Sequence, residues 1–251
     1  MSEQKTSWLI PSALLAAGLI IAALVLGLHF KDLRQSGEIT VKGVAEEKYQ
    51  ADNAEWAVKI AVWNANYGGA VKSVENLTPD VINFLKSQGF SDNEISIGST
   101  TVDAYMEDVR NEQGNYMGQR QNGWNAARSI GLRSKDLGKI QKAYAEILNF
   151  KAQNNYIRFS APSYLIDDLE NIKRSLIAKA TEDAKMRAQE FAKSGGGTVG
   201  AMKSASQGSF NIYSDEAGDS EESSEDYGGV YDKSTINKRV RLVVTVKYGI
   251  Q

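Results

Sequence analysis

Gly195, Gly197 and Gly200, in the stretch KSGGGTVG (193–200), have the G-x-G-x-x-G spacing with which a backbone turn cradles the pyrophosphate of a dinucleotide. That chemistry requires a strand running into the glycines and a helix leaving them, because the phosphates sit on the free N–H groups of a helix N-terminus. Here the order is reversed. Upstream, apolar residues recur at Leu169, Ile172, Leu176, Ala180, Ala184, Ala188 and Phe191, which predicts a long amphipathic helix over 167–193. Downstream, TVGAMKSASQ has the character of a short strand. Gly195 and Gly196 are therefore expected to end the helix in a left-handed cap, at the dipole end that repels phosphate.

Other chemistries are narrowed by residue type. The single histidine, His29, borders an apolar N-terminal run, so no histidine acid, base, triad or zinc site can be assembled in the rest of the chain. Cysteine is absent, which removes disulfides, thiolate metal sites and a cysteine nucleophile. Two carboxylate pairs remain, Asp167 with Asp168 and Glu182 with Asp183, and a glycosidase needs only two carboxylates across a cleft. Both pairs fall on the expected helix, where sequence neighbours diverge and the polar face is ordinarily solvated. The aromatics Trp56, Trp63, Tyr67, Tyr105, Tyr116 and Trp124, near Arg110, Arg120 and Arg128, invite a base- or sugar-stacking reading. Strand aromatics are more often core or cross-strand pairs, with Trp63 and Trp124 the exceptions because their neighbours are polar. Asn76-Leu77-Thr78 is a formal glycosylation sequon followed by Pro79 and carries no information.

Charge is segregated. The net charge is −2, yet residues 209–235 carry eight acidic groups against Lys233, leaving 28 basic and 23 acidic residues elsewhere. That surplus is spread out and forms no nucleic-acid patch. The 209–235 segment is read as a disordered, solvated acidic insert. It is no EF-hand loop, since counting from Asp215 places Ala217 and Ser220 where an oxygen ligand and a glycine are required. No catalytic, cofactor-binding or metal-ligating residue is assigned.

The N-terminal stretch WLIPSALLAAGLIIAALVLGLHF (8–30) has no Asp, Glu, Lys or Arg and measures about 34 Å as a helix, enough to cross a bilayer. Trp8 and the His29–Arg34 segment resemble interfacial anchors. No small-residue cleavage site follows, so an uncleaved transmembrane anchor is expected, with a tail at 1–7 and a linker at 31–37. Lys5 on one side and Lys31 with Arg34 on the other nearly balance, so charge does not orient it.

Beyond the linker, one domain is expected over 38–250. Residues 38–50 and 54–65 alternate as half-buried strands. Val71, Val74, Leu77, Val81, Ile82 and Leu85 keep helical spacing, with Pro79 expected either to kink that helix or to start a second one after Thr78. Residues 95–109 and 119–133 form a long hairpin, 136–150 a second helix and YIRFSAPSYLI a strand. The 167–193 helix and two strands complete the order ββαββαβαββ, an α+β fold with a mostly antiparallel sheet and helices on one face.

The stretches ITVKGVAEEKYQAD (39–52), KSQGFSDNEI around Gly89, and LENIKRSLIAKATEDAKMRAQEFAKSGGGTVG (169–200), in this order, resemble the SIMPL domain family of bacterial envelope proteins over about residues 38–249. Pro79 and the acidic insert depart from the family pattern. The resemblance implies an α+β fold, a cell-membrane or envelope setting with the C-terminal domain facing the periplasm or exterior, and a tendency to form homo-oligomers. It brings no catalytic or cofactor residues. The expected function is a single-pass, non-enzymatic envelope protein that touches lipid through 8–30 and acts by self-assembly or partner binding, with no nucleic-acid role. The alternatives are a ligand-binding module or a glycan-acting enzyme using paired carboxylates.

Overall fold

A computed structural model describes residues 9–34, 37–216 and 229–251. The elements are α1 (Leu9–Arg34), β1 (Gly37–Gln50), β2 (Asn53–Asn64), α2 (Tyr67–Ser87), β3 (Ile95–Arg110), β4 (Tyr116–Ser134), α3 (Leu137–Gln153), β5 (Ile157–Phe159), β6 (Ser163–Leu165), α4 (Leu169–Ser194), β7 (Val199–Ser214) and β8 (Asn237–Ile250). The α+β class and antiparallel pairing are as expected, but the strands form two sheets instead of one: β1-β8-β7, and β3-β4-β2-β5 with β6 also on β2. The chain divides into two compact units, one of Glu47–Ile172 with Asn211–Val240, the other of the chain up to Glu46 with Lys173–Phe210 and Arg241–Gln251.

In the first of these units, β2 pairs with β4 in a register that sets Trp56 against Leu132, Val58 against Ile130 and Val62 against Ala126. Alternation puts these residues on one face, where α2 supplies Val74, Val81 and Leu85 and α3 supplies Ile140, Ala143 and Ile147. Ile60, Ile130, Ile140, Ile147 and Leu85 are fully buried there, each contributing about 1.5–3 kcal/mol. Glu55, Ala57 and Lys59 alternate onto the opposite, exposed face. Helices thus cover one face only.

Pro79 starts no second helix, because α2 is continuous across it. The stripe Ala70, Val74, Thr78, Val81 and Leu85 is buried on both sides of the proline, and that packing outweighs the hydrogen bond Pro79 removes. The Thr78 hydroxyl donates to the Val74 carbonyl at 2.7 Å, one turn back. The single strand expected in YIRFSAPSYLI is two, β5 and β6, split around Pro162, which has no N–H to donate to a ladder. The Ser160 carbonyl in the gap accepts the Trp56 indole N–H at 2.8 Å.

In the other unit, α4 buries Leu176, Ala180, Ala184, Ala188 and Ala192 at steps of four. Small side chains on this stripe let the helix backbone approach β1 so closely that a Cβ on Gly43 would lie 2.0 Å from the Ala180 carbonyl oxygen. Asp183 accepts the Val44 N–H at 2.9 Å. Leu242, Val244, Val246 and Tyr248 alternate as buried positions of β8.

At the N-terminus, helix runs to Arg34, so between α1 and β1 only residues 35 and 36 remain, outside the described residues with the 1–7 tail. No helix is long and apolar enough to cross a membrane among the described residues. The side chains described in α1 are those of residues 13–26, about 21 Å of helix against a hydrocarbon core of roughly 30 Å, and the rest of the 8–30 run lies outside them. The acidic insert is narrower than 209–235. Residues up to Ser214 belong to β7, with Ile212 and Tyr213 each 2% exposed, and the segment outside the described residues is 217–228.

Candidate functional site

The glycine triplet is a helix terminus. The Gly197 N–H donates to the Ala192 carbonyl at 2.8 Å and the Gly196 N–H to Lys193 at 3.1 Å, with Gly196 at φ +77°, which is the paired-bond cap that ends a helix on a left-handed residue. The carbonyls of α4, not its N–H groups, face the glycines, and no phosphate cradle exists there.

The carboxylate pairs do not assemble either. Asp167 and Asp168 precede α4 instead of lying on it, since the helix begins at Leu169. Asp167 accepts from Arg133 at 2.9 Å and from the Asn53 amide at 3.1 Å, while Asp168 accepts from Asn171 at 2.8 Å at the positive end of the helix. On α4, Asp183 is held by Arg187 at 2.8 Å and Glu182 points elsewhere, into a groove described below. His29 lies in α1, where its side chain is outside the described set. Among the described residues no three acidic or histidine groups are placed to hold a metal.

Of the aromatics, Trp56 is core, edge-on to Tyr144 at 5.9 Å and to Phe159 at 6.5 Å. Arg110, Arg120 and Arg128 are engaged by the Gly114 carbonyl, by Glu107, and by Thr100 with Thr78 respectively. Trp63 and Tyr67 stay 51% and 53% exposed, and Tyr67 meets Trp124 edge-on at 5.2 Å.

That aromatic group stands at the root of the surface most unlike the rest of its unit. The last β2 residue, Asn64, pairs with Trp124, but β3 and β4 continue pairing to Arg110 and Tyr116 with no third strand beside them. The result is a two-stranded ribbon, residues 105–110 with 116–122, reaching roughly 20 Å past the sheet. Gly123 makes the exit: it has φ +91°, and a Cβ there would lie 2.7 Å from both the Asn64 carbonyl oxygen and the Trp63 indole nitrogen. Tyr105, Met106, Val109, Tyr116 and Met117 are exposed along the ribbon, between 38% and 66%. Of these only Tyr105 and Tyr116 were singled out from sequence; the density of apolar residues in DAYMEDV and NYMGQ was the available signal.

Both ends of the acidic insert are clamped. The Ile212 N–H donates to the Val230 carbonyl and the Asp232 N–H to the Ile212 carbonyl, each at 2.8 Å, and Lys238, with a fully buried side chain, donates to the Asp232 carbonyl at 2.6 Å and lies 3.4 Å from its carboxylate. Burial raises the Asp232 pKa, but hydrogen bonds from Ser234 and Thr235 and the Lys238 charge outweigh it and hold the group below the usual carboxylate range.

Near the start of β3, Glu94 accepts from the Ser134 hydroxyl at 2.5 Å, the Ser91 N–H at 3.0 Å and the Ser91 hydroxyl at 2.7 Å, which lowers its pKa from 4.5 to about 2. A carboxylate with a folded-state pKa below its unfolded one contributes stability above the unfolded value and loses it as pH falls through the folded one. The melting temperature is therefore expected to drop between pH 4.5 and pH 2, and Glu94→Gln should flatten that part of the curve; equal acid sensitivity in the variant would show that Glu94 does not contribute.

Antiparallel sheets, helices packed on one face of the β3-β4-β2-β5 sheet, and a glycine-capped long helix before a strand define an α+β domain. The family profile described as "SIMPL: Protein of unknown function (DUF541)" matches residues 39–248, and the chain belongs to this family. No curated protein matches it.

Proposed function

We propose that this is a membrane-tethered, non-enzymatic envelope protein that works by self-association, with the β3–β4 ribbon as contact surface and the domain on the periplasmic or outer side. The observation that carries the reading is the ribbon. An isolated two-stranded hairpin is marginal in water, and this one exposes a run of Tyr, Met and Val with no core of its own. A second copy supplies the missing cover. Lipid fits less well, because residues 103–120 carry four acidic groups against two basic ones and anionic headgroups would be repelled. The β3–β4 pairing carries three register shifts, one with the extra residue in β3 and two in β4, and the added local twist disfavours edge-to-edge strand pairing, so contact is made by side chains. The tether is supported by the uncharged 8–30 run and by Leu14, Leu19, Ile20 and Leu24, which are 62–71% exposed and have no protein face to pack on.

Two measurements test the reading. The full chain should stay in the membrane pellet after alkaline carbonate washing, and release into the wash would overturn the tether. In detergent micelles, light scattering should show a multimer whose mass falls when Tyr105, Met106 and Tyr116 are all changed to Ser; an unchanged mass in a folded variant would remove the ribbon from the interface.

A further inference from the structure

Within the unit built on α4, the helix covers β1 and leaves an open groove of about 650 Å³ on its other flank, toward β7. Its apolar lining is Met186 of α4, Met202 of β7 and Tyr248 of β8, the two methionines being 52% and 47% exposed. Strand β7 is a sheet edge, and residues 201–209 are exposed on both faces. The groove is bounded on the helix side by Ala178, Glu182, Lys185 and Gln189, at steps of four, three and four, which is the seam spacing of a helix that packs on another helix.

We propose that this groove receives α4 of a second copy, antiparallel, about a two-fold axis passing between Asp183 and Ala184. The proposal rests on the self-association reading and adds an interface distinct from the ribbon. Charge complementarity selects this occupant. In the antiparallel register each Glu182 faces the second copy's Lys185, and each Ala178 faces the second copy's Gln189, so the seam is its own complement, as a two-fold contact requires. Asp183 is already taken by Arg187 and the Val44 N–H, whereas Glu182 and Lys185 have no ion-pair partner among the described residues. Exposed ion pairs contribute little affinity, so the two charge pairs set the register while burial of Met186 and Met202 drives association. The two helices then form one layer between two three-stranded sheets, each covering the β7 face that its partner's sheet leaves open.

The chain has no cysteine, so introduced ones report cleanly. In membranes containing the full chain, the double variant Ala178→Cys with Gln189→Cys should oxidise to a disulfide-linked dimer. Each single variant should not, because equivalent residues stand about 16 Å apart across the axis, beyond disulfide reach. Glu182→Lys should weaken dimerisation of the full chain in micelles about tenfold, and adding Lys185→Glu should restore it. A double-cysteine variant that stays uncrosslinked, single variants that crosslink equally well, or a charge swap that fails to rescue would overturn this interface. The mass of the unaltered chain separates that failure from failure of self-association itself: a multimer without the crosslink leaves the ribbon reading standing, and a monomer removes both.

Discussion

Gly43→Ala should lower the melting temperature by about 6–12 °C, corresponding to roughly 3 kcal/mol or more, the top of the range for overpacking. The added methyl carbon would sit 2.0 Å from the Ala180 carbonyl oxygen, 2.6 Å from the Ala184 nitrogen and 2.7 Å from the Ala184 side chain. Two of these three atoms are helix backbone, so no rotamer change relieves the overlap. The helix must lift from the sheet, and the contacts of the neighbouring alanines of its buried stripe loosen with it. Gly68→Ala is the control: nothing lies within 4 Å of a Cβ there, and in the first turn of α2 the substitution should be neutral or stabilising by up to about 1 kcal/mol. Differential scanning calorimetry of both variants checks the contrast, and equal shifts would show that α4 does not seat on β1 as described.

Lys238→Ala is the second large effect, a loss of about 3–5 kcal/mol, because it breaks a buried ion pair and strands the partner charge. The ammonium has no solvent exposure and the Asp232 side chain only 16%. Removing the ammonium leaves the Asp232 carbonyl without its 2.6 Å donor and the carboxylate without its counter-charge. Lys238→Met strands the same charge but keeps most of the side-chain packing, so it should be destabilising and cost less than Lys238→Ala. Chemical denaturation gives the ranking. Proteolysis locates the damage: cleavage within 229–236 should rise in Lys238→Ala, and cleavage confined to the unaltered pattern would show that Lys238 does not hold the exit of the acidic insert.

Local patterns were legible where one periodicity met one environment. Alternation through Trp56, Val58, Ile60 and Val62 marked a strand with a single buried face, and the glycines after Lys193 marked a helix end because a helix preceded them. Partner choice was not legible. Whether β1 joins β2 or β8 is decided by residues far apart in the chain, so one sheet was expected where there are two. Strand β7 outran its expected length because the small, exposed residues of AMKSASQGS have no apolar alternation to follow, and the acidic composition further on hid Phe210, Ile212 and Tyr213. Of the two outcomes Pro79 allowed, a kinked helix or a second one, the buried stripe on both sides of it excludes the second. The ribbon was half visible: the hairpin could be read, but its projection depends on β2 ending at Asn64, a length no property of β3 or β4 reveals.

Self-association of a tethered domain stands or falls on the mass of the unaltered full chain. Sedimentation equilibrium in density-matched detergent at micromolar concentration should give at least twice the 27.5 kDa of one chain, rising with concentration toward a limit. A mass that stays at one chain across that range would contradict it.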